Sequence, residues 1–215
     1  MAARVEFAYG YSYAQVLLSC FGLNAPLLGS GFFWQPVTYL FLHANAWHLG
    51  FNMATVLLFG SGVEREVGSG RFWQIFLVGG VAAGFGWLAV ALGLSHLPPF
   101  DSLTHWMPQA LRQWIGAGDS AGRSVNAGLL IGASGGVFAL IASYGALFPK
   151  RVVYMFMPIP VRMKARTLVL LLVALDLAAA VFVQSQVAYA AHLSGCFAGY
   201  LLGLRLRRLG YADDE

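Results

Sequence analysis

The sequence predicts an all-α, polytopic membrane protein, a bundle of six transmembrane helices with N-terminus and C-terminus both cytoplasmic. Three observations carry this. Of 215 residues, 59% are hydrophobic and only 10% charged, with a mean hydropathy of +0.68, whereas a soluble domain carries about 25% charged residues. The apolar residues gather in runs close to the ~20 residues a helix needs to cross a bilayer core. The cations are distributed unequally between alternate connections. A soluble domain, a disordered chain and a fibrous one are excluded, and the length is that of one domain, residues 1–215. Barrel-type alternation is absent, which leaves helices to satisfy the backbone in lipid.

The first run, about residues 11–29, follows an N-terminus without the basic region and small-residue cleavage site of a signal peptide, so it is expected to stay in the mature chain. Residues 30–46 are aromatic and apolar but too short and interrupted to span, which places them in the outer interface. The second and third spans are expected at 47–62 and 72–94. An external segment rich in Pro and Trp, 95–126, follows, with a short surface helix around Trp106 to Trp114. Spans four, five and six are expected at 127–148, 167–183 and 187–204. With the N-terminus inside, eleven of the 13 Lys and Arg fall on the cytoplasmic side, and only Arg112 and Arg123 fall outside. The same bias accounts for a net charge of +4 through attraction to anionic lipid, without nucleic acid as a partner. Cys20 and Cys196 both lie in apolar runs and do not read as a disulfide framework.

Polar groups inside spans are expensive and mark function by default. They are His48, Asn52, Ser134, Asp176 and His192, with His43 just ahead of span two. In the topology above, Ser134 lies about 10 Å and His192 about 7–8 Å below the outer ends of their spans, at ~1.5 Å per residue. His48 and Asn52 enter at the same side, so three helices deliver Ser, His and a His/Asn pair to one outer depth. Gly132, Gly135 and Gly136 strip bulk from around the Ser134 hydroxyl. His192, Gly195, Gly199 and Gly203 share one helix face, along which a neighbouring backbone can approach closely. If that neighbour is span four, the imidazole reaches the hydroxyl; otherwise the face is a packing seam with a buried histidine.

This residue set suits acyl transfer. A serine hydroxyl needs a base, for which neutral histidine serves near neutral pH, and the tetrahedral intermediate needs donors aimed at its oxyanion. Backbone N–H groups near Ser134, with His48 and Asn52 at i and i+4, can supply them. Asp176, the one acid inside a span, is placed where it can orient His192, but it reads first as a packing or hydrogen-bonding residue, which leaves a dyad. A zinc protease would need His-Glu-x-x-His, which the sequence lacks, so no metal or other cofactor is expected. Gly116-Ala-Gly118-Asp119 imitates an aspartyl-protease motif, but it lies in the external loop and reads as turn chemistry. A transporter would line a pathway with ionisable groups, whereas the inner half here is nearly uncharged.

Residues 34–53, WQPVTYLFLHANAWHLGFNM, resemble the first-loop and second-span signature of the rhomboid intramembrane serine proteases, including His48-x-x-x-Asn52. GSGVEREVGSGRF (60–72) is similar to the turn that follows, Gly132-Ala133-Ser134-Gly135 to the GxSG nucleophile motif, and Ala191-His192-x-x-Gly195-x-x-x-Gly199 to the last-span histidine motif. LFPKRVVYMFMPIPVRMKA (147–165) is similar to the cytosolic link between spans four and five. The resemblance implies a rhomboid-like six-helix bundle and a serine endopeptidase with Ser134 as nucleophile, His192 as general base, and His48 and Asn52 at the oxyanion. It implies single-span or polytopic membrane proteins as substrates, cut near the outer boundary of the bilayer, and in a bacterium the inner membrane as location. Two features depart from the family pattern: Trp34-Gln35 stands where Trp-Arg is usual, and 95–126 is longer than in minimal members. The alternative from another class is an inactive rhomboid-like protein that binds and escorts membrane clients; such proteins lack the nucleophile or the base, and this sequence has both. The sequence carries no signal for oligomeric state.

Overall fold

The computed structural model describes residues 13–95, 129–156, 160–182 and 189–212. In chain order these form α1 (Tyr13–Phe21), α2 (Ala25–Gly29), α3 (Gln35–Thr38) with a following 3-10 turn (Tyr39–Phe41), α4 (Ala46–Thr55), α5 (Ser61–Val67) and α6 (Ser69–Ser95). Then come α7 (Ser134–Leu147), the strands β1 (Val152–Phe156) and β2 (Pro160–Lys164), α8 (Ala165–Phe182) and α9 (Tyr189–Arg208). A π-helical stretch, Val56–Gly60, joins α4 to α5, so the chain stays helical from Ala46 to Val67, past the expected end of span two at 62.

The bundle is built around α7. All of Ala139–Leu147 is buried, and its small residues let three neighbours come close. A methyl added at Gly195 would land on the Gly135 backbone, one at Gly199 on Ala139, and one at Gly203 on Ser143, so α9 lies against α7 backbone to backbone. The Ser143 hydroxyl donates to the Gly199 carbonyl at 2.6 Å across this seam. On the other side, Gly79 of α6 meets Ala139, and Gly135 meets Ala83. Small-residue contacts of this kind replace the hydrophobic drive that is missing between helices in lipid.

The outward faces are apolar. Trp47 (79% exposed), Leu57 (72%), Leu170 (68%) and Phe197 (67%) stand on different helices with no protein cover, a surface that water does not favour. Among the described residues, Ser69–Leu92 is the one helix long and apolar enough to cross a bilayer by length and composition, and α7 is apolar but shorter.

Three expectations need correction. The first run, 11–29, is not one helix: α1 ends at Phe21, Leu23 pairs with Leu130 as an isolated bridge, and α2 restarts behind an Asn24 cap with Pro26 in its first turn. Gly22 makes the break possible, because a side chain there would collide with Leu129 and the Leu18 carbonyl. Span four, expected from 127, is helical only from Ser134; Leu129–Ala133 is not helical, and Gly132 takes φ +124°. The all-α class omits the antiparallel hairpin β1–β2, whose register pairs Val152 with Lys164 and Phe156 with Pro160. In it Val152 and Tyr154 are exposed while Val153 between them is buried, the period-2 pattern of a strand with one covered face. The helix α9 itself runs to Arg208, four residues past the approximate end of span six. Most of the 95–126 segment, with its expected helix around Trp106 to Trp114, lies outside the described residues.

Candidate active site

The Leu129–Ala133 segment and the start of α7 position the hydroxyl. Leu130 exchanges backbone hydrogen bonds with Leu23 at 2.9 Å each way, and Gly132 N–H donates to the Tyr39 carbonyl at 2.9 Å. Only glycine fits at 132, because φ is positive and a Cβ would press on the His48 ring. The helix then begins at Ser134 with Ala133 as a cap that offers no side chain. The first N–H groups of α7 therefore have no acceptor within the helix, and they form its positive end.

His192 of α9 sits across from this corner. Its Nε2 is 3.0 Å from Ser134 Oγ, with 58 residues between them in sequence. Its Nδ1 lies 3.1 Å from Oδ2 and 3.5 Å from Oδ1 of Asp176 on α8. Phe138, one turn after Ser134, stacks on the imidazole with centroids 4.3 Å apart and planes 7° from parallel. The ring is thus held on its face by Phe138 and at both nitrogens by oxygen partners. The side chains of His192 and Asp176 are 12% and 13% exposed, so the site is sheltered but reachable.

His48 and Asn52 stand on α4. Asn45 caps that helix by accepting from His48 N–H at 2.9 Å. Asn52 is buried and its Nδ2 donates to the His48 carbonyl at 3.0 Å. The Ala44 N–H approaches His48 Nδ1 at 3.5 Å; with Nδ1 as acceptor, the proton of a neutral ring is on Nε2, the atom beside Gly132. His43 meets His48 edge to face at 5.1 Å, and its Nε2 accepts from Ala133 N–H at 3.5 Å. Burial lowers the His43 pKa from its ordinary value, the nearby His48 adds to this, and the Phe41 backbone opposes it. A neutral His43 is what an acceptor of the Ala133 N–H must be.

The loop before α4 is tied to α1 by side chains that satisfy the open carbonyls at that helix's end. Trp34 Nε1 donates to Cys20 O at 2.8 Å, Gln35 Nε2 to Ser19 O at 2.9 Å, and Thr38 Oγ1 to Phe21 O at 2.7 Å. Gln35 is fully buried, and its Oε1 accepts from Asn24 N–H at 3.2 Å. Glutamine at the position where Trp-Arg was expected therefore does anchor this loop. Tyr39 extends the tie to α6 by donating to Gly80 O at 2.7 Å, and burial raises its phenol above the ordinary value, with a Gly84 backbone hydrogen bond opposing. Among the described residues no group of three His, Cys, Asp or Glu converges as a metal site would require.

The structure brings Ser134 and His192 together and sets His48 beside Gly132, with Asn52 one turn further along α4. Sequence reasoning preferred a packing or hydrogen-bonding role for Asp176 over that of orienting His192, and it passed over Phe138. The spacing of four from Ser134 was the one cue for Phe138, and being the sole acid in an apolar run was the cue for Asp176.

A profile of the Rhomboid domain matches residues 30–209. The chain belongs to the rhomboid family. Its curated relatives include Rhomboid protein 1, mitochondrial, of Saccharomyces cerevisiae, 27% identical over 163 residues, which is 76% of this chain and 39% of the yeast protein. Rhomboid protease AarA of Providencia stuartii is 26% identical over 207 residues, 94% of this chain and 66% of that protein. Rhomboid protease GluP of Bacillus subtilis is 32% identical over 77 residues, 36% of this chain and 15% of that protein. This rhomboid thus spans less than two thirds of the length of these relatives. Rhomboid family members are membrane proteins, in keeping with the uncovered apolar faces of the helices.

Proposed function

We propose that this rhomboid is an intramembrane serine endopeptidase that hydrolyses peptide bonds of membrane-protein substrates near the outer boundary of the bilayer. The proposal includes six spans with cytoplasmic termini, as the charge bias requires. The observation that supports it is the 3.0 Å approach of His192 Nε2 to Ser134 Oγ between two helices, a distance from which a base can take the hydroxyl proton.

Ser134 Oγ attacks the scissile carbonyl while His192 Nε2 accepts its proton. The oxyanion forms against the Ser134 N–H at the positive end of α7, with His48 Nε2–H and Asn52 Nδ2–H as further donors. Collapse of the intermediate expels the amine, which takes the proton back from His192. Water, deprotonated by the same nitrogen, then releases the acyl group and restores the hydroxyl. No cofactor enters. Donors of this kind typically contribute 10²–10³ in rate each.

The test is cleavage of a single-span reporter in liposomes by purified protein. Ser134→Ala and His192→Ala are each expected to abolish it while leaving the protein folded, and a fluorophosphonate is expected to label Ser134. Cleavage near the wild-type rate in either variant would reject the assignment. An intact wild type that neither cleaves nor labels would favour the escort reading.

A further inference from the structure

Asp176 lies on a helix whose neighbouring residues are apolar, with Leu175 and Leu177 exposed on either side. A carboxylate within such a run is costly without a partner. Among the described residues its hydrogen-bonding partner is the His192 ring, reached by both oxygens at Nδ1. Two tautomers are available to a neutral imidazole, and only one is useful. With the proton on Nε2, that nitrogen has no lone pair for the Ser134 hydroxyl, and Nδ1 sets its own lone pair against a carboxylate. With the proton on Nδ1, the carboxylate accepts it and Nε2 is free to act as base.

We infer that Asp176 is a positioning residue that holds His192 in the Nδ1–H tautomer, so that Ser134, His192 and Asp176 form a triad drawn from three helices. Proton transfer balances without titrating the acid: Nε2 takes the Ser134 proton, the resulting imidazolium keeps Nδ1–H on the carboxylate, and Nε2 returns its proton to the leaving amine. Asp176 stays ionised throughout, as the acid in a serine triad does. Phe138 sets the plane of the ring, and Asp176 sets its rotation and its proton. The other ionisable groups near the site play neither part: Cys196 is one turn further along α9, and His48 lies over Gly132. A triad is recognised by such geometry rather than by fold or chain position.

The inference rests on the protease reading above, and the experiment separates the two. Asp176→Ala, Asp176→Asn and Asp176→Glu are made in the full chain and assayed in liposomes, with thermal unfolding measured alongside. The alanine variant is expected to lose about 30-fold or more in kcat with KM within about twofold, and the glutamate variant to recover part of the loss; in the serine-protease template the corresponding Asp→Asn change costs about 10⁴. In parallel, ¹⁵N-histidine spectra of the wild type, with the His192 signals assigned by their loss in His192→Ala, are expected to show Nδ1 protonated. In Asp176→Ala the Nε2–H form is expected to gain population. Alanine within about threefold of wild-type kcat, a glutamate variant no better than alanine, or an unchanged tautomer would each overturn the inference. A wild type that neither cleaves nor labels would defeat the protease reading alone, because the spectra still report whether Asp176 holds the ring.

Discussion

Replacing Gly199 by alanine probes whether the closeness of α7 and α9 is what allows catalysis. Gly199 lies seven residues past His192, about 10.5 Å along the helix at 1.5 Å per residue, too far to touch the reacting atoms. A Cβ there would sit 2.6 Å from the Ala139 carbonyl carbon and closer still to its oxygen and Cα. All three are backbone atoms and cannot swing aside. Relief of even the carbonyl-carbon contact to an ordinary 3.4 Å requires α9 to back away by at least about 0.8 Å, and the nearer oxygen and Cα demand more, with an overpacking cost of about 1–3 kcal/mol. Carried to the site, that minimum displacement opens the 3.0 Å Ser134–His192 distance to about 3.8 Å or more, beyond hydrogen-bond reach. A misplacement near 1 Å costs on the order of 10²-fold in rate. Helix propensity acts the other way, since alanine favours a helix over glycine by about 1 kcal/mol, so a loss would come from packing. The assay is reporter cleavage in liposomes together with the rate of fluorophosphonate labelling, with Gly70→Ala as control because a Cβ there meets nothing within 4 Å. Gly199→Ala with the control's kcat and labelling rate would refute the view that this seam sets the geometry of the site.

Three further outcomes are expected. Gln35→Leu removes both the donor to the Ser19 carbonyl and the acceptor of the Asn24 N–H from a fully buried anchor, which should lower unfolding free energy by about 1–3 kcal/mol; chemical denaturation in mild detergent checks it, and an unchanged midpoint would count against the anchor. Gly132→Ala must distort a φ of +124° and press on the His48 ring, so it should depress kcat about 10²-fold or more by moving the proposed oxyanion donor; an equal kcat would argue that His48 has no part in the reaction. The lowered pKa of His43 means the folded state binds its proton less readily than the unfolded chain does. Its contribution to stability is therefore complete above the ordinary value of 6.5 and lost as pH falls through the folded value. His43→Gln, which keeps an acceptor for the Ala133 N–H but does not titrate, should flatten the acid fall in Tm below that pH, and an identical fall in both proteins would refute it.

Much of the site was legible because membrane spans restrict what a polar residue can mean. Ser134, His192, His48 and Asn52 stood out against apolar runs, and the one-sided glycines of α9 announced a close helix neighbour. The helix start at Ser134 was not legible, since Leu129–Ala133 is as apolar as a helix would be, and it is the bridge between Leu23 and Leu130, with the Gly132 N–H on the Tyr39 carbonyl, that holds it out of the helix. Gln35 looked like a departure from the family pattern, because the carbonyls it caps become neighbours only when the loop folds back on α1. Asp176 looked like a packing residue because its partner lies 16 residues away on another helix.

Composition, charge bias and helical spacing are local properties. By themselves they determined that this chain is apolar enough for a membrane, which residues carry polar chemistry, and which face of α9 is smooth. Which faces meet depends on the rotation and crossing of whole helices, and these follow from contacts between residues far apart in the chain. Only the tertiary structure could therefore decide that α9 turns its glycines to α7, that α8 brings a carboxylate to the second nitrogen of His192, and that Ser134 opens a helix rather than lying within one.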